Sequence, residues 1–466
     1  MTQTTQPTSS APHYDWKPES QAQAFISELL AEFMDRCPPA AELAERMRHD
    51  TGTRFVDWVD FIEVRDDAPV RKRLAELGFE PRPRSETAEV FEHDGGIFPQ
   101  IVLAETKSMR VGIKVDFVSD FLAALSITND YLIQGAPMAP LRRAPAFVEP
   151  RGALWVVERH GTRSFDIAPA DPNRTLAAIH HYECLRRRKR DWPDDEQGWK
   201  RVNDLVDNAV RDLGKDHACA IFFAAEREHW QRRNRAARVQ KARQDTLGLG
   251  WANHDHHTYR SSRAGFKNLI ALFEKLGFLC RERFYAGAEA GWGAQVLEQP
   301  ESRIVIFADV DLSESEIAGD FAHEGLLPGS ELGTVGLWVG LHGESLLQAG
   351  MHHLECQFDF DALRDQLMAA GVPSMPAFTN LPYLRQAFTE GERWPVADKR
   401  VQRLLDDNHI TPAQAAQFRM DGAIGSHLEN LERHDGYKGF NQKGVSDIIS
   451  RTDPRRQQTA EPVLGA

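Results

Sequence analysis

The chain has 466 residues, a formal net charge of −13, 41% hydrophobic and 27% charged residues. That length exceeds one ordinary core and predicts roughly two to four units. The acidic balance opposes a general nucleic-acid binder, and no stretch approaches the roughly 18 uncharged apolar residues of a membrane helix. Residues 1–10 carry neither the basic nor the apolar region of a secretory leader. Five dispersed cysteines without a C-x-x-C pair fit a reducing compartment. A cytoplasmic location is expected, with neither nucleic acid nor membrane as partner.

In chain order, residues 1–18 read as a disordered tail rich in Thr, Gln, Pro and Ser. A β-α-β-β-β pattern then occupies residues 50–150. It has a strand at 55–62, a helix at 70–77, a Gly78-Phe79 turn and strands near 90–91, 101–103 and 111–117. Residues 170–250 predict a polar helical connector, with helices at 176–188, 199–213 and 224–244. The pattern returns with a strand from His256, a helix at 266–276, a Gly277-Phe278 turn and strands at 281–285, 294–297 and 304–310. Residues 332–341 alternate Val335, Leu337, Val339 and Leu341 and predict a glycine-rich strand. A third copy begins at 351–356, continues through a helix at 360–370 and turns at Gly371-Val372, and residues 425–433 read as a final strand. Each turn follows one logic, in which glycine ends a helix in the left-handed conformation and the next apolar residue closes over it. The fold class expected is α+β, with repeated modules whose sheets pair into a cupped barrel. Residues 251–450 hold two paired modules, and 452–466 form a second tail.

Histidines gather at equivalent strand starts: His254, His256 and His257 in one, His352 and His353 in another. Side chains alternate along a strand, so His254 and His256 are expected on one face, and one histidine per strand faces the cup. Neutral imidazoles brought together suit iron, zinc, nickel or copper, and a carboxylate would complete a facial triad. In the last strand Glu432 and Asn430 share a face opposite Glu429, and Glu432 is preferred as the ligand over Glu429. Glu298 is a further alternative. Asp60 stands nineteen residues before Phe79, as His353 stands before Val372, so the first module is expected to be degenerate and without a metal site.

At these residues the chain resembles the hydroxyglutarate synthase (2-oxoadipate dioxygenase/decarboxylase) family of the vicinal oxygen chelate superfamily. That family places a metal-binding histidine four residues before a substrate-binding arginine, the spacing of His256 and Arg260. Its second ligand sits in a short segment leading into a helix, as His353-Leu354 does, and its glutamate precedes a Lys-Gly helix start, as Glu432 precedes Lys443-Gly444. The resemblance implies a non-haem Fe(II) oxygenase or decarboxylase that takes a small 2-oxo acid or related carboxylate and dioxygen. His256, His353 and Glu432 would hold the metal, with Zn, Ni or Mn as other candidates. Arg260 would anchor substrate, with Tyr259 and His257 beside it. Two alternatives stay open: a glyoxalase-like isomerase or lyase, and a metal-free small-molecule binding module.

Overall fold

The computed structural model describes residues 15–128, 133–329, 331–441, 453 and 455. Helices α1 (Ser20–Arg36) and α2 (Pro38–Arg46) pack Phe25, Ile26, Leu30 and Phe33 onto the N-terminal sheet. That sheet begins with β1 (Val59–Arg65), α3 (Ala68–Glu76), β2 (Glu80–Arg82), β3 (Glu89–Glu92) and β4 (Gln100–Ala104). It continues through β5 (Met109–Lys114), α4 (Val118–Ala124), β6 (Leu141–Val148) and β7 (Gly152–Arg159). Its order is β2-β3-β4-β1-β5-β7-β6, with β1 parallel to β4, β5 parallel to β7, and β1 antiparallel to β5. The strand expected to close the first module, near 111–117, therefore opens another unit, one strand short.

Four helices follow: α5 (Pro172–Arg186), α6 (Asp195–Leu213), α7 (Lys215–Arg232) and α8 (Arg235–Asp245). The single helix expected over 224–244 is two, because the Asn234 side chain accepts from the Ala237 amide at 2.8 Å and caps a new start. Nor is this layer merely polar. Trp199, Val202, Phe222, Phe223 and Trp230 enter the largest core, each fully buried ring or branched chain contributing about 1.5–3 kcal/mol.

The second sheet contains β8 (His254–Arg260), α9 (Phe266–Lys275), β9 (Leu279–Tyr285), β10 (Trp292–Gln299) and β11 (Ile304–Asp311). After α10 (Thr334–His342) come β12 (His353–Gln357), α11 (Phe360–Ala369), β13 (Thr379–Leu381), β14 (Leu384–Phe388) and β15 (Glu392–Trp394). Helices α12 (Asp398–Asp406) and α13 (Pro412–Asp421) lead to β16 (Ala423–Arg433). The order β13-β14-β16-β12-β8-β11-β10-β9 joins two β-α-β-β-β modules through antiparallel β8 and β12. In each module the first strand lies parallel to the last. The protein is thus a mixed α+β fold with two multi-stranded sheets of repeated modules.

The three glycine turns have the geometry their sequence predicts. Gly78, Gly277 and Gly371 have φ of 79°, 87° and 72°, and the next amide reaches back five residues to Leu74, Phe273 and Leu367.

The strand expected over 332–341 is overturned, since residues 334–342 form α10. The buried Asp311 carboxylate accepts from the amides of Gly333 (2.8 Å), Val335 (3.1 Å) and Gly336 (3.0 Å), satisfying the donors a helix start leaves open. The helix is apolar all round, so its alternation mimics a strand. Two positions assigned to tails also pack onto the fold. The Trp16 ring lies under Arg281 and Lys438, and Asp453 accepts from Thr334 at 3.1 Å. Residues 443–444, the expected Lys-Gly helix start, lie outside the described residues. No described helix is long and apolar enough to cross a membrane.

Candidate metal centre

One face of the second sheet carries the side chains of interest. Registers align His256 with Glu355 across β8 and β12, and His353 with His427 and Glu355 with Glu429 across β12 and β16. Alternation sends Tyr259, Leu354, Cys356 and Leu428 to the helical face, where they join the core. The other face presents His256, Thr258, Arg260, His353, Glu355, His427 and Glu429 to a cavity of about 80 Å³. Residues from both ends of the sheet, including Phe284, Phe307, Phe378 and Phe388, line the same cavity, so the sheet curls into a cup.

At its floor the Glu355 carboxylate stands between two imidazoles. Its Oε1 touches His256 Nε2 and lies 3.1 Å from His353 Nε2, while Glu429 Oε2 lies 3.9 Å from His353 Nε2. Donor atoms of His353, Glu355 and Glu429 all fall within 4.8 Å of one another, and His256 reaches the group through Glu355.

The surroundings fix which nitrogens point inward. Asp255 Oδ1 accepts from His256 Nδ1 at 2.8 Å, and the Arg433 guanidinium holds that carboxylate ionised, well below the usual range. Nδ1 therefore carries the proton and Nε2 offers its lone pair to the cup. His427 is set the same way by the Thr389 carbonyl at 3.0 Å, leaving its buried Nε2 without a partner among the described residues. Burial pulls His256 and His427 down to about 4 and His353 well below its ordinary value, so the rings are neutral. Burial raises Glu355 well above the carboxylate range, with the Glu429 charge adding to it, and lifts Glu429 to about 7. Gln386 donates to Glu429 Oε1 at 2.8 Å.

No described lysine or arginine pairs with either carboxylate. Two desolvated acids facing neutral imidazole lone pairs make a donor set that fits a divalent cation, which would replace the protons they otherwise need.

Several expected residues are elsewhere. Glu432 lies on the opposite face of β16 from Glu429, where it accepts from the Phe360 amide at 2.5 Å and from His434 at 2.6 Å, with Arg54 at 3.5 Å. The strand-face assignment is right, but Glu429 is the glutamate that joins the histidines. Tyr259 points into the helical core against Phe223 and Phe273, away from the cup, and His257 does likewise beside Phe223. His254 does not share a face with His256. An extra residue, Asp255, shifts the β8–β12 register and turns the His254 ring to within 5.1 Å of His257. Glu298 is held by Arg281 and Lys438, both at 3.1 Å, outside the cup. Arg260 lies on the expected face, with Nε 3.7 Å from Asp309 and its guanidinium over Trp338.

Glu355 and His427 were not foreseen. Their signal is the repeated His-Leu-Glu at 353–355 and 427–429, two residues apart and so on one strand face in each copy.

A scan against family models matches none, and no curated protein sequence matches the chain. Among solved structures, a mutant 4-hydroxymandelate synthase from Streptomyces coelicolor is 14% identical. The match covers 86% of this chain and 99% of that one, with a TM-score of 0.28. Methylmalonyl-CoA epimerase from Mycobacterium tuberculosis is 18% identical over 39% of this chain and 88% of its own, at 0.22. A Mn(II)-bound glyoxalase from Novosphingobium aromaticivorans is 10% identical over 83% and 86%, at 0.18. Scores this low assign neither a family nor a reaction.

Proposed function

We propose that the chain is a metal-dependent enzyme in which His256, His353, Glu429 and Glu355 hold a divalent cation, and that it acts as an oxygenase on a small 2-oxo acid. The observation that carries this is the convergence of two neutral imidazoles on two buried carboxylates without a protein cation. Bound there, Fe(II) would supply a site at which a 2-oxo acid and dioxygen meet, whereas Zn, Ni or Mn would supply Lewis acidity.

The remaining roles belong to the chain's own side chains. Arg260 offers a planar fork for a substrate carboxylate. Burial raises its neighbour Asp309 to about 7, so near neutrality a fraction of that carboxyl is protonated and competes less for the guanidinium. Phe284, Phe307, Phe388 and Phe440 wall the cavity and exclude water. Asp255 and Gln386 orient His256 and Glu429.

Glu355 favours a second reading, an isomerase or lyase in which that carboxylate moves a substrate proton. Oxygen uptake separates the two. Iron-loaded protein given a panel of 2-oxo acids should consume oxygen in step with substrate loss. Turnover without oxygen uptake would establish the second reading. Arg260→Lys should keep its metal while the apparent substrate affinity falls roughly ten- to a hundredfold, because the two-point fork is lost. Unchanged kinetics with every accepted substrate would remove Arg260 from that role.

A further inference from the structure

A second cavity, about 800 Å³, lies where the N-terminal sheet, the helical layer and the second sheet meet. None of His256, His353, Glu355 or Glu429 lines it. Its carboxylates are mostly taken. Arg159 grips Asp60 at 2.7–2.9 Å, Glu298 is held by Arg281 and Lys438, and Asp116 accepts from the Trp251 amide. Three cations on its walls have no carboxylate within ion-pair distance among the described residues. They are Lys114 at the end of β5, Arg227 on α7, and Arg303 in the β10–β11 turn.

Each comes from a different unit, and each keeps donors to spare. Arg227 donates once, to His257 Nε2 at 3.3 Å, and Arg303 once, to the Phe98 carbonyl at 3.1 Å. Burial draws Lys114 down to about 8, against the opposing pull of Asp60, and the Arg227 charge adds to the fall. Burial also lowers Arg303. Carboxylates oppose these falls at longer range, Asp60 and Asp116 for Lys114 and Glu92, Glu298 and Asp60 for Arg303. A buried cation with no carboxylate in contact is still costly, and a native fold normally pairs it. Arg303 adds an independent sign. Its φ is 56°, in the left-handed region that glycine occupies without strain and a side chain bearing Cβ does not. Hairpin turns favour Gly or Asn at such a position, so an arginine there holds a charged side chain at the cleft against local backbone preference.

We propose that this cleft is a second binding site, specific for a small molecule bearing a dianionic oxyanion group, which Lys114, Arg227 and Arg303 clasp from three sides. Its volume falls in the range of metabolite and cofactor pockets. Two guanidinium forks and an ammonium match the oxygens of a phosphate monoester or of a compact dicarboxylate, the two sources of this chemistry. The site shares the Phe440 wall with the metal cavity and reaches the Asp255–Arg433 pair behind His256, but none of the proposed metal ligands lines it and it does not depend on their assignment.

Calorimetric titration of the full chain with inorganic phosphate, and separately with malonate, tests this at low, constant chloride. The variants are Lys114→Met, Arg303→Gly and His353→Ala. Saturable binding of at least one anion is expected, weakened about tenfold or more by Lys114→Met and by Arg303→Gly, and retained by His353→Ala. Phosphate alone would identify a phosphate ligand, malonate alone a dicarboxylate. Arg303→Gly should unfold no earlier than the parent on heating, since glycine relieves the turn, so loss of binding there is not loss of fold. Absence of saturable binding for both anions, binding indifferent to both cation substitutions, or binding abolished by His353→Ala would each overturn the proposal.

Discussion

Glu429 and Glu432 are three residues apart on one strand and meet opposite environments. Glu429 faces Gln386, Glu355 and His353, while Glu432 faces the start of α11 and Arg54. Glu429→Gln should therefore weaken metal affinity roughly ten- to a hundredfold or more, whereas Glu432→Gln should leave it within about twofold. Competition with a fluorescent chelator measures both, and the reverse order would return the ligand role to Glu432. The same carboxyl sets a pH dependence. With Glu429 raised to about 7, its proton is largely in place at pH 6 and the metal must displace it. Affinity should rise as pH climbs from 6 to 8, by up to about tenfold per unit for each proton displaced, with the raised Glu355 carboxyl adding to the dependence. An affinity flat or falling across that interval would contradict the carboxyl as ligand. What the sequence shows at this scale is residue type and spacing. The faces of His256, Arg260 and His353 are legible because two-residue alternation holds beyond the Asp255 bulge, and Glu429's face was legible too. The choice between the glutamates depends on which face of β16 meets β12's histidine, and only pairing register decides that. The Asp255 bulge, which orients His256 and diverts His254, has no local signal.

At the scale of elements, the helix–glycine–apolar turns at Gly78, Gly277 and Gly371 were readable because a helix end is decided by neighbours in sequence. Helix α10 was not, because a uniformly buried helix has no polar face to reveal its period and its start is capped from 22 residues away by Asp311. That cap is testable. Asp311→Ala strips the acceptor from three amides and should cost at least about 2 kcal/mol in urea unfolding. Gly336→Ala should also destabilise the protein, because a Cβ there would stand 2.3 Å from Asp311 Oδ2. In the double variant that clash is gone, so Gly336→Ala should cost clearly less on the Asp311→Ala background than alone. Strict additivity would show that the carboxylate does not set the close approach.

Across the whole molecule, the two sheets repeat one plan with different contents. In the N-terminal sheet the face opposite the helices is filled by Phe61, which packs on Phe165 at 5.2 Å and lies over Gly112, where a Cβ would fall 2.1 Å from its ring. Asp60, placed by sequence where the third copy has His353, is gripped by Arg159. The second sheet keeps an open cup with four donors on its floor. This contrast was only partly legible, since composition along each strand shows that histidines are missing from the first copy but not that an aromatic ring takes the space. The central claim is that the donors on the second floor hold a metal, and it meets its most direct test in elemental analysis of tag-free protein reconstituted with Fe(II) without oxygen and then desalted. About one iron per chain is predicted for the parent, with most of it lost in His353→Ala although the far-UV circular dichroism is unchanged. A parent that retains no stoichiometric iron, zinc, nickel or manganese after loading with each, or a His353→Ala variant that keeps the full complement, would contradict it.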